Sequence, residues 1–98
     1  MLLEFEDLSE LLSFNIKYYR YLKNISQQEL SRMCNFNSRY ITYVENGSHC
    51  PTIDKIELIA NSLEVEPYVL FMNIKRDEII VSKIYSTRQY NQRVKETV

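Results

Sequence analysis

Four side chains with hydrogen-bonding or aromatic groups share the spacing of one helix face. They are Ser38, Arg39, Thr42 and Tyr43, within the segment NSRYITYVENG at residues 37–47. An arginine fork can meet two acceptors on a guanine edge, hydroxyl groups can bond to a base or a phosphate, and a tyrosine ring can pack on a thymine methyl. None of the four is acidic. These residue types predict recognition chemistry rather than catalysis, with a merely solvated helix face as the alternative.

Residues for metal binding or covalent catalysis are scarce. His49 is the only histidine, Cys34 and Cys50 are the only cysteines, and Gly47 is the only glycine. A metal site needs more ligands at suitable spacings, covalent catalysis needs a nucleophile beside a base, and phosphate loops need several glycines. We therefore predict no metal, no cofactor and no enzymatic activity, and we expect both thiols to be reduced.

The segment that carries the four side chains has the apolar spacing of a short helix over residues 38–46. Tyr40, Ile41 and Val44 supply its inner face, and Asn37 is a favourable N-cap residue in front of it. Gly47 can adopt the left-handed conformation that ends a helix. The polar face would then point away from the core.

Two helices are predicted before this segment. The first covers residues 9–23, and SQQE at residues 26–29 is a capping box that starts a second helix over residues 27–34. Asn24 and Asn35 suit the left-handed turns that end these helices. The turn into the third helix is so short that the two helices must cross steeply, as in a helix-turn-helix. The apolar side chains expected to face the core are Leu8, Leu12, Ile16, Tyr19, Leu30, Met33 and Cys34.

The second half of the chain carries two further helix starts and one ambiguous segment. Thr52 is a plausible N-cap residue, and Pro67 suits the first position of a short fifth helix. Residues 77–90 fit either a strand or a helix, and the absence of glycine and proline slightly favours a helix. The polar last ten residues are expected to fray. The apolar stripe expected for the fourth helix is Ile53, Ile56, Ile59 or Ala60, and Leu63.

Composition is that of one globular domain. The 98 residues are 45% hydrophobic and 26% charged, and no apolar run could span a bilayer. The acidic N-terminus does not resemble a signal or transit peptide, so we expect a cytoplasmic protein. Residues 1–66 contain six Lys/Arg against ten Asp/Glu, whereas residues 67–98 contain six against three, so the positive charge is concentrated in the C-terminal third.

The sequence ISQQELSRMCNFNSRYITYVENGSHCPTIDKIELIANSLEVEPYVLF resembles the lambda-repressor-like helix-turn-helix family, of the Cro/repressor or xenobiotic-response-element type. The resemblance covers residues 14–71. It implies an all-α, five-helix DNA-binding domain over residues 1–72, followed by a C-terminal extension, helix or strand, over residues 73–98. Ser31, Asn35 and Glu64 depart from the family's pattern, which favours alanine at the first position and glycine at the other two.

The resemblance also implies which residues contact double-stranded DNA. The recognition helix, residues 38–46, would enter the major groove, with Arg39 as the main candidate for a guanine contact. Gln27 would bind a phosphate and brace the reading helix, whereas His49 could equally be an ordinary loop residue. The expected DNA-binding residues are Gln27, Asn37, Ser38, Arg39, Thr42, Tyr43, Asn46, Ser48 and His49.

One acidic residue in this region needs a partner. Glu45 lies at the edge of the inner face, where an unpaired carboxylate would be costly. By resemblance its partner is Arg20 from the first helix. We therefore interpret Arg20 and Glu45 as a structural ion pair that fixes the angle between helices.

Oligomeric state follows from charge and from surplus apolar residues. Residues 27–49 contain two Lys/Arg and two Asp/Glu, so one copy should bind DNA weakly, and specific affinity predicts a homodimer on a palindromic operator. We interpret the chain as a transcriptional regulator, with a repressor favoured. The alternative is an antitoxin or another protein-interaction module that binds a partner through its C-terminal segment. The predicted dimer interface contains Tyr68, Leu70, Phe71, Ile80 and Ile84, unless this segment folds back on its own core.

Overall fold

The computed structural model describes residues 2–86 and the backbone of residues 95–97. A bundle of helices forms most of it, and a two-stranded antiparallel ribbon joins the two ends of the chain. The elements are β1 (Leu2–Glu4), α1 (Leu8–Lys23), α2 (Gln27–Met33), α3 (Tyr40–Glu45), α4 (Ile53–Leu63), a 3₁₀ helix (Pro67–Phe71), α5 (Glu78–Tyr85) and β2 (Lys95–Thr97).

The boundaries of the first two helices follow from local capping. Asp7 caps α1 by accepting a hydrogen bond from the amide of Glu10, so α1 starts at Leu8, one residue earlier than predicted. The predicted capping box is present, with Ser26 and Glu29 each bonded to the other's backbone amide. Asn24 and Asn35 adopt φ values of 58° and 60°, which confirms the left-handed turns.

Helix α3 is shorter than the sequence predicts. It spans Tyr40–Glu45, with Arg39 at the N-cap position and Asn46 at the C-cap position, rather than residues 38–46. Asn37 does not cap it as predicted: its Oδ1 accepts from the amide of Arg39 at 3.0 Å and its carbonyl from the amide of Tyr40 at 3.0 Å. These bonds fold residues 37–39 into a turn, so the helix begins only after it.

The helix-turn-helix unit packs around one hydrophobic cluster. Helix α1 contributes Leu12 and Ile16 to this cluster, and the 3₁₀ helix contributes Leu70. Its other buried members come from the three helices between them, and they are Leu30, Cys34, Ile41, Val44, Ile56, Ile59, Ala60 and Leu63. Three predicted core residues are instead exposed, because each lies on the outer side of its helix: Leu8 at 59%, Met33 at 50% and Ile53 at 70%.

A second cluster joins the ends of the chain. Leu3 of β1, Phe14 and Tyr18 of α1, and Val81 and Ile84 of α5 are all buried in it. The helical alternative is therefore confirmed over residues 78–85, whereas residues 87–90 of the predicted segment lie outside the described residues. The predicted fraying is wrong for residues 95–97, because β2 pairs with β1 with Leu3 opposite Glu96.

A buried arginine connects the extension to α1. Arg76 is 5% exposed, and its guanidinium donates to Asn15 Oδ1 at 2.6 and 3.1 Å. The same group lies 5.3–5.9 Å from the ring centroids of Phe5, Phe14 and Tyr18. Burial lowers the pKa of Arg76. The residues after the 3₁₀ helix are thus tied to α1 by polar bonds as well as by apolar packing.

None of the helices within the described residues has both the length and the apolar character that crossing a bilayer would require.

Candidate nucleic-acid interface

The exposed face of α3 presents the side chains that the sequence singled out. Ser38 and Arg39 are exposed in the turn that precedes the helix, and Tyr43 is 44% exposed. Thr42 is half-buried at the edge of the same face. The opposite face is buried, with Ile41 and Val44 at 0% exposure. The short helix α3 is therefore anchored by its apolar side. On the opposite side, α3 and the turn before it present an arginine, hydroxyl groups and an aromatic ring.

Two serine hydroxyls also hold the buried side of α3. Ser13 of α1 donates to the carbonyl of Val44 at 2.9 Å, and the buried hydroxyl of Ser31 accepts from the amide of Ile41 at 3.3 Å. Ser31 stands where the family pattern favours alanine, and its extra oxygen occupies an orphan amide at the start of α3. Neither contact was predictable from the periodicity of one segment, because each joins residues on different helices.

The Arg20–Glu45 ion pair that the resemblance implies is present and buried. Arg20 Nε donates to Glu45 Oε2 at 2.7 Å and Arg20 Nη2 donates to Glu45 Oε1 at 2.9 Å. The side chains are 9% and 0% exposed. Gln27 adds a third donor, with its Nε2 at 2.9 Å from Glu45 Oε1, and its Oε1 accepts from the hydroxyl of Thr42 at 2.8 Å. A polar network therefore runs from α1 to the outer face of α3.

Lys17 is a buried cation beside this network that sequence reasoning missed. It is 3% exposed. Burial lowers the pKa of Lys17 to about 8, with Glu45 opposing the drop and Arg20 adding to it. Its spacing of three residues before Arg20 was the available signal, because residues three apart share a helix face.

The loop after α3 is ordered by short-range hydrogen bonds. Gly47 has φ of 84°, in the left-handed region, and ends the helix as predicted. Asn46 Oδ1 accepts from the amide of Ser48 at 2.9 Å and from its hydroxyl at 2.6 Å. The backbone amides of Ser48 and His49 donate to the carbonyl of Tyr43. Asn46, Ser48 and His49 are therefore exposed beside the end of α3 on a defined loop.

An aromatic cluster under this loop holds a further cation that the sequence analysis did not single out. The ring of Tyr40 lies edge-on to His49 and to Phe36, at 4.9 and 4.7 Å between centroids. Lys55 Nζ lies 4.6 Å from the centroid of Tyr40 and 5.8 Å from that of Phe36. Lys55 thus places a positive charge at the first turn of α4, close to the loop. Burial raises the pKa of Tyr40.

The residues predicted for a dimer interface are divided by the structure. Leu70 and Ile84 are both 0% exposed within their own chain, so these two side chains offer no surface to a second copy. Phe71 and Ile80 are half-buried against the two clusters. Tyr68 is 65% exposed. Leu70 and Ile84 are buried because the 3₁₀ helix and α5 fold back on α1. This was the alternative stated with the predicted interface.

The fold and this surface define a class, the helix-turn-helix proteins. A family model described as helix-turn-helix matches residues 16–70, more than half of the chain. The chain belongs to this family, which consists of DNA-binding transcription regulators. No curated protein sequence matches the chain significantly.

Solved structures share the fold over most of the chain. A hypothetical transcription factor from Neisseria, NHTF, is 28% identical with a TM-score of 0.69, over 86% of this chain and 92% of that chain. The restriction-modification controller protein C.Esp1396I is 32% identical with a TM-score of 0.61, over 82% and 96%. Its tetramer in complex with its natural 35-base-pair operator gives 34% identity and a TM-score of 0.60, over 79% and 93%.

Proposed function

We propose that this protein is a sequence-specific transcriptional repressor that acts in the cytoplasm as a homodimer on a palindromic operator. The observation that carries the proposal is the exposed, acid-free face of α3, held rigid from behind. Ile41 and Val44 fix the helix by packing, and the ion pair between Arg20 and Glu45 fixes its angle to α1. A rigid helix with polar early residues is the element that reads the major groove.

The roles of individual side chains follow from their chemistry and exposure. Arg39 is exposed and its guanidinium is a planar fork, so we assign it the guanine contact. Tyr43 is assigned a phosphate or a thymine methyl, and Ser38 and Asn37 a base or a phosphate at the start of the helix. The remaining residues, assigned to the phosphate backbone, are Gln27, Asn46, Ser48 and His49.

Gln27 can brace α3 and bind a phosphate at the same time. Its Nε2 carries two hydrogens, and the bond to Glu45 uses one of them. The second hydrogen can meet a phosphate oxygen without loss of the internal bond. Lys55, half-buried beside the loop, supplies positive charge nearby. The structure therefore does not force a choice between the two expected roles of Gln27.

The homodimer is supported by charge. Arg32 and Arg39 are the two Lys/Arg residues within residues 27–49, and Glu29 and Glu45 offset them, so one copy would neutralise few phosphate charges. Two copies on a two-fold symmetric site double the contacts. The controller C.Esp1396I, of similar fold, has been solved as a tetramer on its operator. We place the contact between copies on the exposed apolar side chains after α4, including Tyr68 and Ile79, which are 65% and 69% exposed.

The antitoxin interpretation is less well supported. An obligate antitoxin tail would need its partner to fold, yet Val81 and Ile84 of α5 are buried against α1 of the same chain. Arg76 adds hydrogen bonds to Asn15. Limited proteolysis of the isolated protein distinguishes the two, because rapid cleavage within residues 78–85 would favour the antitoxin.

Selection of bound fragments from a random DNA pool tests the proposed function. We expect the full-length protein to enrich one sequence with two inverted half-sites, whose centres lie about one helical turn, or a multiple of it, apart. Enrichment that vanishes on a single half-site would support the dimer. Recovery of unrelated fragments with no shared sequence would contradict the proposal.

A further inference from the structure

A chain of hydrogen bonds connects the buried side of the helix-turn-helix unit to one side chain on its reading face. Arg20 binds Glu45, Gln27 Nε2 lies 2.9 Å from Glu45 Oε1, and Gln27 Oε1 lies 2.8 Å from the hydroxyl of Thr42. Arg20 and Glu45 are buried, with 8% and 2% of their whole-residue surfaces exposed, whereas Thr42 is half-buried and reaches the surface. The inner end of this series of hydrogen bonds, at Arg20 and Glu45, is therefore shielded from water, and its outer end at Thr42 is not.

The chemistry of the inner end fixes the direction of every bond. A guanidinium can only donate and a carboxylate can only accept. Glu45 Oε1 therefore needs a donor from Gln27, which forces the amide nitrogen of Gln27 towards it. The amide oxygen of Gln27 then faces Thr42, and this oxygen can only accept. The hydroxyl of Thr42 must be the donor.

This direction changes what Thr42 can offer to DNA. A threonine hydroxyl has one proton, and here the proton is used inside the protein. The groups that remain are the lone pairs of the oxygen and the γ-methyl. Donation to guanine O6, to a purine N7 or to a phosphate would require the bond to Gln27 to break.

We propose that Thr42 reads a thymine by contact between the two methyl groups, and that Gln27 is the positioning residue that holds Thr42 in this role. The inference rests on the proposed function and names a base feature that one side chain recognises. Contact between a threonine methyl and the thymine C5-methyl is an established form of base readout in the major groove. Arg39, three residues earlier, is exposed in the turn at the start of the same helix, so the thymine belongs within the stretch that Arg39 also reads.

The test uses the full-length protein and the operator enriched from the random pool. Each thymine of a half-site is replaced in turn by deoxyuridine, which lacks only the methyl group. We expect one position at which the wild-type protein loses affinity by about fourfold, the scale of one buried methyl group. At the other thymines the affinity should change less.

Two substitutions separate the methyl from the hydroxyl. Thr42→Ser keeps the hydroxyl and the bond to Gln27 but lacks the methyl, so it should bind thymine and deoxyuridine equally at that position. Thr42→Val keeps a methyl but loses the bond to Gln27 that positions it, so its preference for thymine should persist at a reduced size. Each variant is compared with itself on two DNAs, and a loss of folded protein therefore cancels from the ratio.

Two results would overturn the inference without touching the proposed function. One is a thymine preference that Thr42→Ser keeps and Thr42→Val loses. The other is an enriched operator in which no thymine methyl matters to the wild-type protein. Failure to enrich any sequence is a different outcome, which contradicts the proposed function and the inference together.

Discussion

Arg20 of α1 binds Glu45 of α3 through two parallel hydrogen bonds, at 2.7 and 2.9 Å, in a position where the carboxylate side chain has 0% exposure. These bonds join α1 to the end of α3. Because a fork of two bonds fixes orientation as well as distance, it sets the angle at which α3 leaves the core. Gln27 binds the same carboxylate, so three helices meet at one group.

The first prediction concerns this pair. Arg20→Met leaves the Glu45 carboxylate buried without its two-bond partner, and we expect a loss of about 3–5 kcal/mol in the free energy of unfolding. Replacing both residues, Arg20→Met with Glu45→Leu, should cost less than the single change, because no carboxylate is then left buried without its arginine partner. Urea unfolding monitored by circular dichroism measures both. A double variant less stable than Arg20→Met would contradict the interpretation.

The second prediction separates base reading from phosphate binding. Arg39→Ala should relax the preference at one base position, by about 1–3 kcal/mol of discrimination. Gln27→Ala should weaken binding to specific and random duplexes alike, with any extra specific loss confined to the base read by Thr42. Binding titrations on the enriched operator and on a random duplex provide the measurement. Equal losses on both duplexes for Arg39→Ala would be inconsistent with a reading role.

The third prediction concerns the surface between copies. Ile79→Lys should lower the mass measured in solution from that of a dimer to that of a monomer, because a charge would replace an exposed apolar side chain in the proposed interface. Ile53→Lys is the matched control, since Ile53 is 70% exposed and Ile79 is 69% exposed. Sedimentation equilibrium measures the mass. A dimer that survives Ile79→Lys would remove Ile79 from the interface.

The choice of Ile79 over the positions predicted from sequence has a physical reason. Phe71 and Ile80 are half-buried against the two hydrophobic clusters, so polar substitutions there would damage the fold as well as any interface. A fall in mass could then reflect unfolding. Ile79 avoids this ambiguity.

The fourth prediction is a pH dependence that arises from Lys17. Its pKa falls from 10.5 to about 8 on folding because the side chain is buried. Below about pH 8 Lys17 is charged in both the folded and the unfolded protein, so the free-energy cost of burying its charge is fully present. Between about 8 and 10.5 the unfolded chain holds a proton that the folded protein has lost, so the free energy of unfolding rises with pH.

Lys17→Met removes this contribution. The variant should be more stable than wild type near neutral pH. The difference in the free energy of unfolding should shrink as the pH approaches the ordinary pKa of lysine. Lys83→Met, an exposed lysine on α5, is the control for loss of a positive charge. Thermal melting at a series of pH values provides the comparison. A constant difference across the range would exclude Lys17 as the cause.

The fifth prediction concerns the turn after α4. Glu64 has φ of 60° and ψ of 40°, a left-handed conformation that a side chain disfavours. Glu64→Gly should raise the melting temperature by a few degrees, although it also removes the exposed ion pair with Lys23, which contributes little. Asn24→Gly, at a similar φ of 58°, should have a smaller effect because asparagine tolerates this region. Equal shifts would contradict the argument from strain.

Features that depend on neighbouring residues were predictable from the sequence. The capping box at Ser26 and Glu29, and the left-handed turns at Asn24 and Asn35, involve bonds within a few residues. The exposed face of α3 also follows from periodicity, because Ile41 and Val44 fix its buried side. The start of α3 was misplaced because the Asn37 side chain bonds to Arg39 and forms a turn instead of a cap.

Features that join distant parts of the chain were not predictable in the same way. Leu8, Met33 and Ile53 have the right residue type for a core, but no element among the described residues covers them. Arg76 belongs to the basic C-terminal third of the chain, whose composition is typical of a solvated segment. It is nevertheless buried against Asn15, 61 residues earlier. Whether a side chain is buried depends on which elements pack together. Periodicity within one element does not predict that packing.

The sequence by itself determined the start of α2 at the capping box, the left-handed turns that end α1 and α2, the family, and the polar face that we propose reads DNA, because each is encoded in residues close together along the chain. Only the tertiary structure decided the direction of the bonds from Arg20 to Thr42, the burial of Lys17, and the packing of α5 on α1. Those features depend on side chains that folding brings together from separate helices, and their hydrogen bonds acquire a direction only when donors and acceptors meet without water between them.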